Sequence, residues 1–128
     1  FKQINDSFGH EIGDQLLQIG AKRLRKSLRT CDIIGRPGGD EFVALVPDVT
    51  TAVAEELANR LAMALEEPYL IGDQKLSCAA SIGLALYPKN ANTLTGLLRE
   101  ADQAMYRAKA RCRGVTNIRS ADLLEKAM

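Results

Sequence analysis

The sequence has no apolar run near the roughly 18 to 20 residues that a membrane-spanning helix needs, and its first residues show no basic-then-apolar signal pattern. It therefore reads as a soluble segment of the cytoplasm, whatever anchor a longer protein carries elsewhere. It also lacks an excess of either charge. Lys and Arg number 17 against 16 acidic residues, so no overall field favours nucleic acid or an anionic membrane, and any anion site must be local. Nucleic acid is not expected as a partner. The three cysteines, Cys31, Cys78 and Cys112, are odd in number and lack CxxC spacing, which argues against a disulfide framework or a zinc site and for a reducing compartment. The single histidine, His10, has no neighbouring ligand residues and is assigned to structure. There is no internal repeat and no low-complexity tract.

What remains is enough for one compact domain: 128 residues, 46% of them hydrophobic. After Gly13-Asp14, the residues Leu17, Ala21, Leu24 and Leu28 recur at helical spacing opposite Lys22, Arg23, Arg25 and Lys26. Asp32–Arg36 and Phe42–Val46 are short β-prone runs around Pro37-Gly38-Gly39-Asp40-Glu41, which predicts a β-hairpin with acids at its tip. Thr50 or Thr51 can cap a second helix with Val53, Leu57, Leu61 and Leu65 as its stripe, ended by Pro68. Lys75–Tyr87 alternates at period two and predicts one long strand. Leu94, Leu97, Leu98, Ala101, Met105 and Ala108 mark a third helix, and Thr116–Arg119 a closing strand. Helices, strands and a hairpin in this order predict an α+β fold, a sheet with antiparallel pairs covered by helices.

The chemistry gathers at the hairpin tip. Adjacent carboxylates beside two glycines offer hard oxygen ligands and let a phosphate approach the backbone, which suits Mg²⁺ and a nucleoside triphosphate. The bland alternative is a solvated turn, for which Gly-Gly-Asp is ordinary composition. Asn5 and Asp14 have bland alternatives too, as a turn residue and as a helix N-cap.

Context favours the functional reading. Phe1-Lys2-Gln3-Ile4-Asn5-Asp6, Gly9-His10, Gly13-Asp14, Arg36-Pro37-Gly38-Gly39-Asp40-Glu41-Phe42, Ser81-Ile82-Gly83 and Ala101-Asp102-Gln103-Ala104-Met105-Tyr106-Arg107-Ala108-Lys109 follow one another in order. Together they resemble the signatures of the GGDEF domain of bacterial diguanylate cyclases, over residues 1–119, with 120–128 as a linker or the start of a connecting helix. The resemblance implies a central, mostly antiparallel five-stranded sheet like the palm of nucleotidyl cyclases, whose first strand precedes Phe1. The chain opens without methionine, which fits a piece of a longer protein. It further implies that two subunits, each holding a GTP, meet as a homodimer, so that each ribose 3′-hydroxyl attacks the other GTP's α-phosphorus. The products would be cyclic di-GMP and two pyrophosphates.

By the same resemblance Asp40 would hold Mg²⁺ (or Mn²⁺) and assist deprotonation of the hydroxyl, Glu41 would join or support the metal, and Gly38 and Gly39 would give the phosphates room. A further metal carboxylate would lie upstream of Phe1. Asn5 and Asp14 match the guanine-reading pair, since a carboxylate accepts from guanine N–H donors and an amide both donates and accepts. Lys2, Lys109 and Arg113 match triphosphate-holding positions. Arg29-Thr30-Cys31-Asp32 matches an RxxD product-inhibition site, to which Arg60 would contribute. The bland alternative there is a surface Arg29 to Asp32 ion pair, worth little alone.

Two departures stand out: Pro37 replaces the usual apolar or aromatic residue, and Cys112-Arg113-Gly114 replaces Gly-Arg-Asn, so that Arg111 competes for the role of Arg113. They leave open a catalytically inactive domain that binds GTP or cyclic di-GMP in a multidomain protein with sensory or EAL phosphodiesterase domains. A scaffold with a vestigial site is a third reading, against which the retained Asn5, Asp14, Asp40 and Glu41 argue.

Overall fold

The computed structural model describes residues 2–111 and 117–120, with side chains from Ile4 to Ala108. The elements run α1 (Lys2–Phe8), α2 (His10–Ser27), β1 (Ile33–Gly38), β2 (Glu41–Leu45), α3 (Thr51–Glu66), β3 (Tyr69–Ile71), β4 (Gln74–Leu76), β5 (Ser81–Leu84), α4 (Leu94–Arg111) and β6 (Asn117–Ser120). The fold is α+β, as expected. The strands form three two-stranded pairs, β1–β2 and β3–β4 antiparallel and β5–β6 parallel. The chain divides into two compact units, one of Phe1–Val49 with Met63–Cys78, the other of Thr50–Ala62 with the described residues from Ala79 onward.

In the first unit α1 is too short to stand alone and is held by packing. Its Ile4 is buried with Leu16 of α2, Tyr69 and Ile71 of β3 and Leu76 of β4. Gly9, at φ 91°, turns the chain between the helices, a conformation that costs a glycine little. α2 thus begins ahead of Gly13-Asp14, where the sequence pattern placed its start. It buries Gly13, Leu16, Leu17, Gly20 and Leu24.

Arg23, half-buried at the edge of that face, closes the end of α3. It donates from Nη1 to the carbonyls of Ala64 (3.2 Å) and Glu67 (2.6 Å), and from Nη2 to Pro68 (2.7 Å). These carbonyls have no partner within the helix, and a forked cation suits both them and the negative helix end. The same guanidinium lies 4.0 Å from the centroid of the Tyr69 ring. Burial pushes the Tyr69 hydroxyl pKa up, keeping it the donor that bonds the Leu65 carbonyl at 2.7 Å.

In the second unit Thr50 caps α3, its Oγ1 accepting from the Val53 N–H at 3.3 Å. The buried line of α3 is Ala54, Ala58 and Ala62 rather than the expected Val53, Leu57, Leu61 and Leu65, and Val53 is exposed. α4 buries the expected Ala108 together with Ala104, while Leu94 and Leu98 stay largely exposed. Small residues are required where α4 meets β5, because a Cβ on Gly83 would fall on the Ala101 carbonyl oxygen and lie 2.6 Å from the Met105 nitrogen. The long strand expected over Lys75–Tyr87 is broken at Ser77–Ala80: β4 ends at Leu76 on β3, and β5 begins at Ser81 on β6.

Candidate functional site at the hairpin tip

The expected hairpin is present. Ile33 pairs with Leu45, Ile34 with Ala44 and Gly35 with Val43; the register then shifts, and Gly38 pairs with Glu41. Arg36 and Pro37 therefore stand against the single residue Phe42, the two-against-one count of a β-bulge. Pro37 suits a bulge because it has no N–H to give a ladder. Gly39 sits at φ 51°, where a side chain would be strained, and Asp40 completes the turn. Asp40 and Glu41 are both exposed, and neither is in an ion pair among the described residues.

Gly38 and Gly39 differ in what they require. The backbone of Gly39 needs glycine, whereas Gly38 has no positive φ. A Cβ on either would meet nothing within 4 Å. Neither turn geometry nor packing therefore explains the glycine at position 38; close approach of something from outside would.

Adjacent Asp and Glu carboxylates are the donor set a hard divalent cation takes. Among the described residues no group of three His, Cys, Asp or Glu side chains gathers. Asp40 and Glu41 suit a cation that completes its shell from phosphate oxygens and water, the usual manner of Mg²⁺, rather than one caged by protein alone.

The bland alternatives for Asn5 and Asp14 do not hold. Asn5 lies within α1 rather than in a turn, and Asp14 lies inside α2, whose N-cap is Gly9. The Asn5 Oδ1 is buried without a hydrogen-bond partner among the described residues, and Asp14 is exposed. A buried acceptor left unpaired is costly unless something else satisfies it. Lys2 is on α1 and Lys109 near the end of α4; the side chains of both, Arg113 itself and the linker expected over 120–128, apart from Ser120 at the end of β6, lie outside the described residues. Arg60 is on α3 in the second unit.

Arg29 and Asp32 are joined to each other. The Arg29 backbone N–H donates to Asp32 Oδ2 at 2.8 Å, and its Nε and Nη2 donate to Oδ1 at 3.3 and 3.2 Å. Arg29 Nη2 also donates to the Pro47 carbonyl, and Arg25 donates to the carbonyls of Arg29 and Asp32. The Asp32 side chain is 1% exposed and that of Arg29 51%. Sequence reasoning identified the pair but missed Arg25 and Pro47, whose parts in this loop are played by groups that carry no local sequence signal.

Burial works against ionisation of Asp32, but the Arg29 backbone and guanidinium hydrogen bonds outweigh it and hold the carboxyl below the usual range. A depressed folded-state pKa stabilises the protein above the ordinary aspartate pKa of about 3.9, and that stabilisation is lost as pH falls through the lower folded-state value. The urea midpoint of the wild type should therefore fall with acidification below about pH 4, and less steeply in Asp32→Asn. Parallel pH profiles in the two proteins would show that the pair carries no such linkage.

The comparisons with known proteins identify the family. The family model described as diguanylate cyclase, GGDEF domain, matches residues 1–114, and the chain belongs to the GGDEF family. It is similar to the bifunctional diguanylate cyclase/cyclic di-GMP phosphodiesterase MucR of Pseudomonas aeruginosa, at 45% identity over 109 residues, 85% of this chain and 16% of MucR. Diguanylate cyclase TpbB of the same species is 43% identical over 116 residues, 89% of this chain and 27% of TpbB. Cyclic di-GMP phosphodiesterase PdeR of Escherichia coli is 38% identical over 114 residues, 89% of this chain and 17% of PdeR. The crystal structure of the TpbB GGDEF domain superposes with a TM-score of 0.83 at 41% identity, covering 91% of this chain and 74% of that one. The chain thus spans between 16% and 27% of the length of these curated relatives. No helix among the described residues is long and apolar enough to cross a membrane.

Proposed function

We propose that this domain condenses two GTP molecules into cyclic di-GMP and releases two pyrophosphates. The observation that carries the reading is the hairpin tip: two exposed carboxylates, unpaired among the described residues, beside Gly38, a glycine that neither backbone conformation nor packing requires. Asp40 and Glu41 would hold Mg²⁺ or Mn²⁺, which when bound supplies neutralising charge at the phosphates. Asp40, an acceptor when ionised, would take the proton of the ribose 3′-hydroxyl. Gly38 and Gly39 admit the phosphates to the backbone, and Lys2, Lys109 and Arg113 offset their charge. Asn5 and Asp14 read guanine, the buried Asn5 Oδ1 finding in the base the donor it lacks among the described residues.

In this reading the domain has a central, mostly antiparallel five-stranded sheet and extends to residue 119, and a second subunit supplies the other GTP. Sensory or EAL domains accompany it in a longer cytoplasmic protein. Product inhibition would use Arg29, Asp32 and Arg60, with Arg29 exchanging its bonds to Asp32 and Pro47 for product phosphates.

A second reading is a regulatory domain that binds GTP or cyclic di-GMP without turning it over, supported by the similarity to PdeR, named for phosphodiesterase activity. Calorimetric titration of the full-length protein with GTP and ATP tests what the readings share. GTP should bind roughly ten- to a hundredfold more tightly, the discrimination of one well-placed bidentate base contact, and Asp14→Ala should narrow the gap. Equal affinity for both nucleotides would contradict both readings.

A further inference from the structure

We infer that Arg36, assigned no role above, is a phosphate-holding residue of the hairpin site, its guanidinium set to take oxygens of the triphosphate and then of departing pyrophosphate. The inference rests on the GTP reading.

Three features of the chain fix this side chain. Arg36 and Pro37 form the bulged side of the β1–β2 pair, so Arg36 leaves the regular alternation of the ladder one step before the site. Bulges re-aim side chains in this way. Pro37 fixes φ on the following residue and limits the conformations open to Arg36 itself. The Arg36 Nε–H then donates to the Gly39 carbonyl at 2.8 Å. That carbonyl belongs to the residue immediately before Asp40.

One bond uses one of five donors. The two Nη groups have no hydrogen-bond partner among the described residues, and Arg36 is in no ion pair there, although Asp40 and Glu41 lie on the same turn. A guanidinium placed merely to neutralise these acids would contact them. This one is anchored through Nε with its planar Nη pair unoccupied, the arrangement that donates to two phosphate oxygens at once. As the 3′-oxygen bonds to the α-phosphorus, the bond from that phosphorus to the β-phosphate oxygen breaks and its electron pair passes to the pyrophosphate. Negative charge grows there, and a preorganised cation stabilises it.

The test compares wild type, Arg36→Ala and Arg36→Lys as full-length proteins with Mg²⁺. Calorimetry measures GTP, GMP and inorganic pyrophosphate binding, and cyclic di-GMP formation is followed in parallel. Arg36→Ala should weaken GTP and pyrophosphate about ten- to a hundredfold, the range of a charge-assisted bond, while GMP changes less than about threefold. Arg36→Lys should recover part of the loss, because an ammonium keeps the charge without the fork. Equal weakening of all three ligands, or none, would overturn the inference, since a residue that only braces the turn would not single out the polyphosphate. Failure of the cyclase reading looks different. Wild type would then bind GTP without forming cyclic di-GMP, and the same affinity ratios would still decide the role of Arg36. A wild type that binds neither GTP nor pyrophosphate would overturn both.

Discussion

Asp40→Asn in the full-length protein is expected to lower cyclic di-GMP synthesis from GTP by about a thousandfold, while leaving the thermal midpoint within a degree or two. The substitution keeps the shape of the side chain and removes its charge. An amide is a poor ligand for a hard cation that favours carboxylate and phosphate oxygens, and it cannot take a proton from the ribose hydroxyl. Loss of several kcal/mol of transition-state stabilisation, at about 1.4 kcal/mol per factor of ten, gives the thousandfold figure. Stability should not change, because Asp40 is exposed at the turn and its side chain makes no hydrogen bond among the described residues. Parallel activity assays and thermal melts separate the two effects. Undiminished synthesis would remove Asp40 from the chemistry.

Gly83→Ala should act on the other quantity, costing about 3 kcal/mol or more and lowering the thermal midpoint by about 10 °C. Gly83 lies in β5 under α4, and its missing Cβ leaves room for the helix backbone at Ala101 and Met105. The obstacle is backbone on both counts, so no side-chain rotation relieves it. The helix must move away, and its wholly buried Ala104 and Ala108 would lose their packing. Gly20→Ala is the matched control, since a Cβ there meets Leu65 at 3.7 Å and Tyr69 at 3.9 Å, ordinary contact distances. Circular dichroism melts of the two variants should differ clearly. Equal midpoints would contradict the packing described for α4 on β5.

Much of this was legible in the sequence, for identifiable reasons. The hairpin announced itself because paired glycines and flanking β-prone runs are local, and the structure differs only in strand ends and in the bulge at Arg36-Pro37. The third helix and the Thr50 cap are local signals too. The small hairpin of β3 and β4 was not foreseen, because strands of three residues around Gly72-Asp73 are too short to show a period. The period-two pattern over Lys75–Tyr87 misled for a different reason. Alternation records which face a residue would take, not whether a partner strand continues alongside, and the ladder stops at Leu76 and resumes at Ser81 with a new partner. The alanine line on α3, and Ala104 beside the expected Ala108 on α4, were passed over because residue size was taken as a measure of burial, whereas close approach of backbones selects small side chains. At the site, Asn5 and Asp14 were separated from their ordinary uses only once α1 and Gly9 were placed. The bond from Arg36 to Gly39 depends on the turn conformation and has no counterpart in spacing.

The most direct test of the cyclase reading is the product balance of the full-length protein incubated with GTP and Mg²⁺, with cyclic di-GMP separated by chromatography and pyrophosphate counted enzymatically. The account predicts two pyrophosphates for each cyclic di-GMP, and neither product from ATP. GTP bound but recovered intact, under every activating condition applied to the full-length protein, would contradict it and leave a nucleotide-binding regulatory domain.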